Sequence, residues 1–415
     1  MIQNERTSQT LTRRQNMKLT SRSKLGVILL AINASIYIAF SFYTPFLSAY
    51  YAKSGLNAVE IGTLLTIGPI VAIFIQPFWA IISDKTGQRK LILCLVILGS
   101  GFSLFSYYAG HSFLSFFIAA TLLATFVTSI VPLNDALTLR LAKKNHLDFS
   151  IIRMGGTVGF AIVVIIAGAI IKKTPNIQFV LGFFGFMTLL FFVSRLPKDE
   201  KEENKKQESS SPSTVGKKFG FFHIFNSKQV YFMLAFAFIT QVGLSFHGSF
   251  MGVYALKLGL NEDMIAVINC CAALSEIPVL FMMNRLMRKI STIKLIAASS
   301  MLLGFRMFIV TSGGIGSVIF AQFLHGLTFM TVYYSIAVYI SQEVKSQNLS
   351  KGQSILTIVQ TGIGSIIGNI VGGILVDQFG LVLAYRYMGS LIISGSLLIT
   401  TSLCVYRKLV KPLKL

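Results

Sequence analysis

Charged side chains are scarce in this sequence: Asp, Glu, Lys and Arg together make up 13% of its 415 residues. Soluble domains carry about 25% of these residues, so the chain lacks the polar surface of a soluble protein of its length. Apolar runs of about 20 residues, the length that a helix needs to cross a bilayer, recur along almost the whole sequence. With 53% hydrophobic residues and a mean hydropathy of +0.70, these runs exclude a large soluble domain and indicate an all-α polytopic membrane protein.

Acidic residues are also few, 15 against 37 lysines and arginines, and the net charge is +22. A basic excess also occurs in nucleic-acid-binding proteins, but here the basic residues concentrate in the loops on one side of the predicted helices. Short loops rich in Lys and Arg stay in the cytosol. We therefore expect a multi-pass protein of the cell membrane, with both termini in the cytosol and no nucleic-acid partner.

Motifs for metal, redox and nucleotide chemistry are lacking. The four cysteines form no C-x-x-C pair and no metal-ligand spacing with the five histidines, so the sequence predicts no metal site. A phosphate-binding loop of the form G-x-x-x-x-G-K-[ST] is absent, and so is any reactive cluster that a membrane-embedded enzyme needs. We expect no enzymatic activity and no cofactor; a receptor that binds without transporting remains an alternative.

One polar stretch divides the chain. Its sequence, "LPKDEKEENKKQESSSPSTVGKKFG", is rich in Lys, Glu and Ser with almost nothing apolar, a composition that predicts a flexible cytosolic linker, to which we assign residues 196–228. On either side, 25–195 and 229–406 each contain apolar runs for six helices, twelve in all. The remaining residues, 1–24 and 407–415, are predicted to be cytosolic tails.

The two sets of helices contain an internal repeat. Residues 41–61 and 245–265 match at a constant offset of 204, including Lys, Gly and Asn in the turn between two helices. A repeat of this length indicates duplicated architecture. Two pseudo-symmetric six-helix halves, with a site near the midplane between them, are typical of transporters that work by alternating access. We expect such a transporter for a small molecule, acting as a monomer.

The turn after the second predicted helix carries a specific motif, "AIISDKTGQRK". It resembles the signature of the major facilitator superfamily, with Asp84, Lys85, Gly87, Arg89 and Lys90 at its defining positions and Ala80 where Gly is usual. Glycine permits the tight turn, and the aspartate is able to pair with cations or a helix N-terminus. The resemblance implies the major facilitator fold, with these residues acting as a cytosolic gate.

Three further stretches, "PLNDAL", "SEIPVLFMMNRL" and "QFLHGLTF", resemble the branch that contains lactose permease and, more closely, phenylpropionate permease. That branch implies a proton-coupled symporter for a small organic solute. By motif, Asp135 and Arg153 match an acid and an arginine that bind the solute. Phe160 stands where lactose permease has a Trp under the sugar ring, so a galactoside is not implied.

The positions of Asp135 and Arg153 in the sequence also place them at the same depth, independently of the resemblance. The turn between the fourth and fifth helices centres near Lys144, nine residues after Asp135 and nine before Arg153. At 1.5 Å per residue both lie about 13 Å from that turn. If they face one another, each offsets the cost of burying the other. The pair then either binds solute or is purely structural.

The second half contains a comparable set. Glu276 and Arg306 each lie 15 residues from Ser291 in the turn between the eighth and ninth helices, and His325 is near the middle of the tenth. All three are therefore expected near the bilayer centre. Arg306 and His325 match charged positions of lactose permease, whereas Thr328 stands where that permease has an acid. We expect Glu276 to carry the coupling proton, with Asp135 as the other candidate.

These observations predict proton symport, with sodium as the alternative ion. Two arginines near the midplane favour an anion resembling an aromatic acid as the solute. A sugar or a nucleoside is the alternative solute class, and drug efflux is a third possibility for the direction and kind of transport.

Overall fold

The computed structural model describes residues 23–197, 228–343 and 349–410, and every regular element in these ranges is a helix. In chain order the membrane helices are α1 Ser23–Lys53, α2 Ala58–Thr86, α3 Arg89–Tyr108, α4 Phe113–Lys144, α5 Phe149–Ile171, α6 Ile177–Ser194, α7 Gln229–Lys257, α8 Glu262–Lys289, α9 Thr292–Val310, α10 Ile315–Glu343, α11 349–379 and α12 381–410. The described parts of the chain thus contain the twelve helices that the sequence predicts.

The last two helices follow one another without an intervening loop in a run of 56 residues, Gly352–Arg407. At 1.5 Å per residue this run is more than twice as long as a bilayer core of about 30 Å. Gly380 divides it, with φ 75° and ψ 164°, a backbone conformation that only glycine adopts easily. Gly368 and Ile392, each 12 residues from Gly380, pack against the neighbouring residues 242 and 243 of α7. The chain therefore reverses at Gly380 and crosses the membrane twice.

The predicted tails, 1–24 and 407–415, and the predicted linker, 196–228, lie mostly outside the described residues, so these boundaries remain predictions. Twelve crossings bring the two ends of the described chain to the same end of the bundle. We name the end that holds residues 23 and 410 the inner end and the opposite end the outer end.

The duplication predicted from the sequence is visible in the backbone. Gly55 and Gly259, which are separated by the offset of 204, follow α1 and α7 with φ angles of 88° and 76°. Asn57 and Asn261, at the same offset, are the N-cap residues of α2 and α8. The fold is therefore two pseudo-symmetric six-helix halves.

Small residues bring the halves together at symmetry-related places. A Cβ atom on Gly62 of α2 would meet the backbone oxygen of Asn369 on α11, and one on Gly168 of α5 would meet the backbone oxygen of Glu262 on α8. Ala266, the repeat counterpart of Gly62, lies at the second of these contacts. Both crossings lie nearer the outer end, and their small residues let the helix backbones approach closely.

A backbone carbonyl of α2 that a proline leaves without a helical partner accepts a hydrogen bond from α11. Pro69 has no N–H, so the oxygen of Leu65, four residues earlier, has no helical partner. Asn369 Nδ2 donates to that oxygen at 3.0 Å, and Ser249 Oγ on α7 donates to Asn369 Oδ1 at 2.8 Å. This chain of bonds ties the two halves at the depth of the small-residue crossing.

Large apolar side chains cover the outside of the bundle. Phe74 and Phe281 are each 70% exposed and Leu114 is 66% exposed. Exposed apolar area on this scale is unfavourable in water and favourable in hydrocarbon. The lateral surface of the helix bundle is thus suited to contact with the lipid bilayer.

Candidate substrate and proton sites

Helix α4 is interrupted where it approaches the first site. Because Pro132 lacks an N–H, the oxygen of Thr128 is left without its helical partner. Gln76 Nε2 of α2 donates to that oxygen at 2.9 Å, and Trp79 Nε1 donates to the oxygen of Thr125 at 2.9 Å. Helix α2 therefore supplies the hydrogen bonds that the break removes. The second segment of α4, Ile130–Lys144, carries Asp135.

Replacing Gln76 by leucine is expected to destabilise the protein by about 1–3 kcal/mol, the cost of an unpaired buried carbonyl. Thermal unfolding of the purified protein measures the loss. Gln88→Leu is the matched control, because Gln88 is an exposed residue in the turn after α2. Equal melting temperatures for the two variants would contradict the role given to Gln76.

Asp135 and Arg153, expected at the same depth from their equal distances to the turn, form an ion pair. Arg153 Nη1 donates to Asp135 Oδ2 at 2.8 Å and to Oδ1 at 3.1 Å. The side chains remain 31% exposed for Asp135 and 41% for Arg153. A charged pair inside a membrane protein faces the interior or a water-filled space rather than lipid. The partial exposure of the pair therefore indicates that it faces the interior of the bundle or a water-filled space.

Two tyrosines lie near the Arg153 guanidinium, and they come from opposite halves. Arg153 Cζ lies 5.9 Å from the ring centroid of Tyr37 on α1, within the range of a cation–π contact. Tyr333 on α10, which is 45% exposed, interacts electrostatically with Tyr37 and with Arg153. Gly156 makes room for Tyr37, because a Cβ atom there would meet the tyrosine ring. Sequence reasoning did not identify Tyr37 as a site residue.

The second cluster centres on Arg306, whose side chain is completely buried. Its Nε donates to the oxygen of Ala321 at 2.8 Å. Nη1 donates to His325 Nδ1 at 3.1 Å and to Thr328 Oγ1 at 3.4 Å. Nη2 donates to His247 Nε2 at 3.0 Å and to Gln322 Oε1 at 2.7 Å. All five N–H groups of the guanidinium thus have a protein acceptor.

These bonds assign the protonation of both imidazoles. Arginine only donates, so His325 Nδ1 and His247 Nε2 must be the acceptor nitrogens. The proton of His325 is then on Nε2, which lies 3.4 Å from Glu276 Oε1. His325 therefore separates the cation of Arg306 from the carboxylate of Glu276. The structure brings Glu276, Arg306 and His325 together, and it adds His247 and Gln322, which were not predicted.

A break in α10 positions the histidine. The helix is interrupted at Leu324, between Ile315–Phe323 and His325–Glu343. Ser275 Oγ of α8 accepts a bond from the N–H of Gly326 at 2.9 Å. A Cβ atom on Gly326 would meet the backbone of Ser275 and lie 3.0 Å from the Cα of Glu276. Glycine at this position therefore allows α8 and α10 to bring Glu276 and His325 together.

The other predicted site residues lie outside these two clusters. Phe160, two turns from Arg153, packs against the main hydrophobic core. Gly87 has φ 66° and ends α2 at the inner end, and Arg89 lies 3.5 Å from Asp84. Lys90 Nζ donates to the oxygens of Ser194 and Leu196 at the end of α6. Lys85 is exposed in the same turn, and the gating role of these residues stays a prediction.

No group of three or more His, Cys, Asp or Glu side chains in the described part of the chain is arranged to hold a metal ion. The chemistry that the two clusters offer is hydrogen bonding, charge pairing and proton exchange.

Helices in two pseudo-symmetric halves, each with its own cluster of charged side chains, define a membrane transporter of the major facilitator superfamily. The structure is similar to that of the nucleoside transporter NupG, with a TM-score of 0.78 and 16% identity over 91% of this chain and 98% of that one. The match to the MFS_1 like family extends over residues 35–387, and the chain belongs to that family. It is therefore a transporter and not an enzyme.

Two relatives match over most of their length. The uncharacterized transporter YwbF of Bacillus subtilis (strain 168) is 24% identical over 355 residues, 85% of this chain and 86% of the relative. The maltose permease of Geobacillus stearothermophilus is 23% identical over 371 residues, 88% of this chain and 91% of the relative. The similarity thus includes both six-helix halves.

Proposed function

We propose that this protein takes up a neutral, hydroxyl-rich solute, a sugar or a nucleoside, together with a proton. The solute binds at Asp135 and Arg153, with Tyr37 and Tyr333 on either side. The proton is carried by Glu276. Because the basic loops lie at the inner end, that end faces the cytosol.

The solute class rests on the state of the two arginines. Arg306 has no N–H group left for an anion, since five protein acceptors bond its guanidinium. The charge of Arg153 is already balanced by Asp135 at 2.8 Å. An anion at this pair gains little net attraction, whereas a solute hydroxyl is able to donate to the carboxylate and accept from the guanidinium. This single pairing is the observation that carries the choice of a neutral solute.

The names of two similar proteins agree with this class, one being a maltose permease and the other a nucleoside transporter. An anion resembling an aromatic acid is the second candidate. Tyr37 and Tyr333 favour it, because two aromatic rings beside a guanidinium suit an aromatic ring that carries a carboxylate.

The bonds of His325 support Glu276 as the proton site. Protonating its Nδ1 would break the bond to Arg306, so the imidazole is poorly placed to take up a second proton. Glu276 accepts a proton without disturbing that bond, and its side chain is 18% exposed. The carboxylate is therefore the better proton carrier of the two.

Solute-driven proton movement in proteoliposomes tests the proposal, with sugars, nucleosides and phenylpropionates added in turn. The wild-type protein is expected to take up protons with one class only. The Glu276→Gln variant should lose this movement and the accumulation of solute but keep solute exchange. Glutamine still accepts a hydrogen bond from His325 Nε2, while it takes up no proton.

Glu60→Gln is the control, because Glu60 only caps α2, where it accepts a bond from the N–H of Asn57 at 2.9 Å. Proton movement at the wild-type rate in the Glu276→Gln variant would exclude Glu276 and move attention to Asp135. Transport driven by a sodium gradient without proton movement would exclude proton coupling. Response to phenylpropionates alone would favour the anion.

A further inference from the structure

Two ion pairs cross between the halves at the outer end. Lys53, the last residue of α1, lies with its Nζ 2.5 Å from Glu262 Oε1, and Lys172, directly after α5, lies 2.8 Å from Asp263 Oδ2. Both carboxylates belong to the first turn of α8. The first half thus supplies both cations and the second half both anions.

The two pairs differ in burial. The Glu262 side chain is 4% exposed and that of Lys53 is 38% exposed, whereas the Lys172 and Asp263 side chains are 43% and 37% exposed. The backbone oxygen of Glu262 also lies against Gly168 of α5, so this residue stands at the contact between the halves. The Glu262 carboxylate is therefore enclosed by the contact between the halves, and it regains water when the halves part.

The internal repeat does not duplicate these ion pairs. Lys53 has its counterpart in Lys257, but the residues that correspond to Glu262 and Asp263 are Ala58 and Val59. The acids depart from the repeat while the lysine and the turn keep it. A symmetric packing role would not require that difference.

We propose that Lys53–Glu262 and Lys172–Asp263 form an outer latch that keeps the outer end closed and must break when the carrier opens to that side. The latch goes beyond the proposed function, since it needs neither the solute nor the coupling ion to be known. The Lys53–Glu262 pair, with its buried carboxylate, contributes most to the stability of the latch. An exposed ion pair shifts such an equilibrium by about fivefold or less.

Lys53→Gln is the sharpest variant. It leaves the Glu262 carboxylate enclosed without a counter-charge, and removal of one partner of a buried pair shifts an equilibrium by about 100-fold or more. Opening hydrates the carboxylate, so the open state is favoured. The double variant Lys53→Gln/Glu262→Gln removes both charges and should reverse most of the shift toward the open state.

Alkylation of a cysteine at the contact between the halves measures the opening. Ala49 is 1% exposed, and its Cβ lies 3.5 Å from the place of a Cβ on Gly252 of α7. In protein whose four native cysteines are replaced by alanine, Ala49→Cys should react slowly with a water-soluble maleimide. Lys53→Gln should raise that rate about 100-fold, and the double variant should bring it to within about tenfold of the starting rate.

Lys257→Gln is the matched control, a repeat-related exposed lysine at the same end of the bundle. An Ala119→Cys reporter separates opening from unfolding, because Ala119 is fully buried within the first half. If both reporters become reactive in Lys53→Gln, the variant has unfolded rather than opened. The exchanged variant Lys53→Glu/Glu262→Lys, which keeps an ion pair, then tests the latch, and slow alkylation of Ala49→Cys in that variant supports it. Equal rates for Lys53→Gln and Lys257→Gln, or no recovery in the double and exchanged variants, would overturn it.

Discussion

Replacing Gly326 by alanine is expected to destabilise the protein by about 3 kcal/mol and to abolish proton-coupled transport. The added methyl group would meet the backbone oxygen of Ser275 and lie 3.0 Å from the Cα of Glu276. Overpacking typically costs about 1–3 kcal/mol, and the upper value applies because backbone atoms have no rotamer with which to yield. Moving α10 away from α8 also separates His325 from Glu276.

Gly316 provides the control within the same helix. A Cβ atom there would have nothing within 4 Å, and alanine has a better helix propensity than glycine. Gly316→Ala should therefore unfold at or slightly above the wild-type temperature and transport normally. If Gly326→Ala retains wild-type stability and coupling, the close contact between α8 and α10 is not what positions His325.

The depth of each site residue was predictable from the sequence. Hydropathy marks where a membrane helix begins and ends, and a rise of 1.5 Å per residue then fixes the depth of each side chain. For this reason equal spacing predicted a common depth for Asp135 and Arg153, and likewise for Glu276, Arg306 and His325. The constant offset of the repeat likewise predicted the two halves.

The direction in which side chains point was not predictable. Lipid and core are both apolar, so a membrane helix shows little contrast between its faces and its rotation stays undetermined. His247 and Tyr37 were missed for this reason, since each lies in an apolar run whose bonding face the sequence does not mark. The outer latch had a signal that was not used: Glu262 and Asp263 follow directly after a Gly-Leu-Asn turn that the repeat keeps, whereas Ala58 and Val59 stand at the matching positions.

Neutralising either member of the Asp135–Arg153 pair is expected to reduce solute binding about 100-fold, because each removes one or more hydrogen bonds to a charged group, worth about 1.5–3 kcal/mol apiece. Asp135→Asn and Arg153→Gln should also lower stability, by about 1–3 kcal/mol, since each leaves a half-exposed charge without its partner. Solute binding and thermal unfolding of the purified protein measure the two effects separately.

The double variant Asp135→Asn/Arg153→Gln distinguishes a solute site from a structural ion pair. Removing both charges should restore stability in either case, because no unpaired charge remains. Binding should stay lost if the charged groups contact the solute, and it should return if the pair only holds α4 to α5. The exchanged variant Asp135→Arg/Arg153→Asp is the matched control, since it keeps the pair but reverses the place of each group. Restored binding in the double variant would therefore assign the pair a structural role and move the solute site elsewhere between the halves.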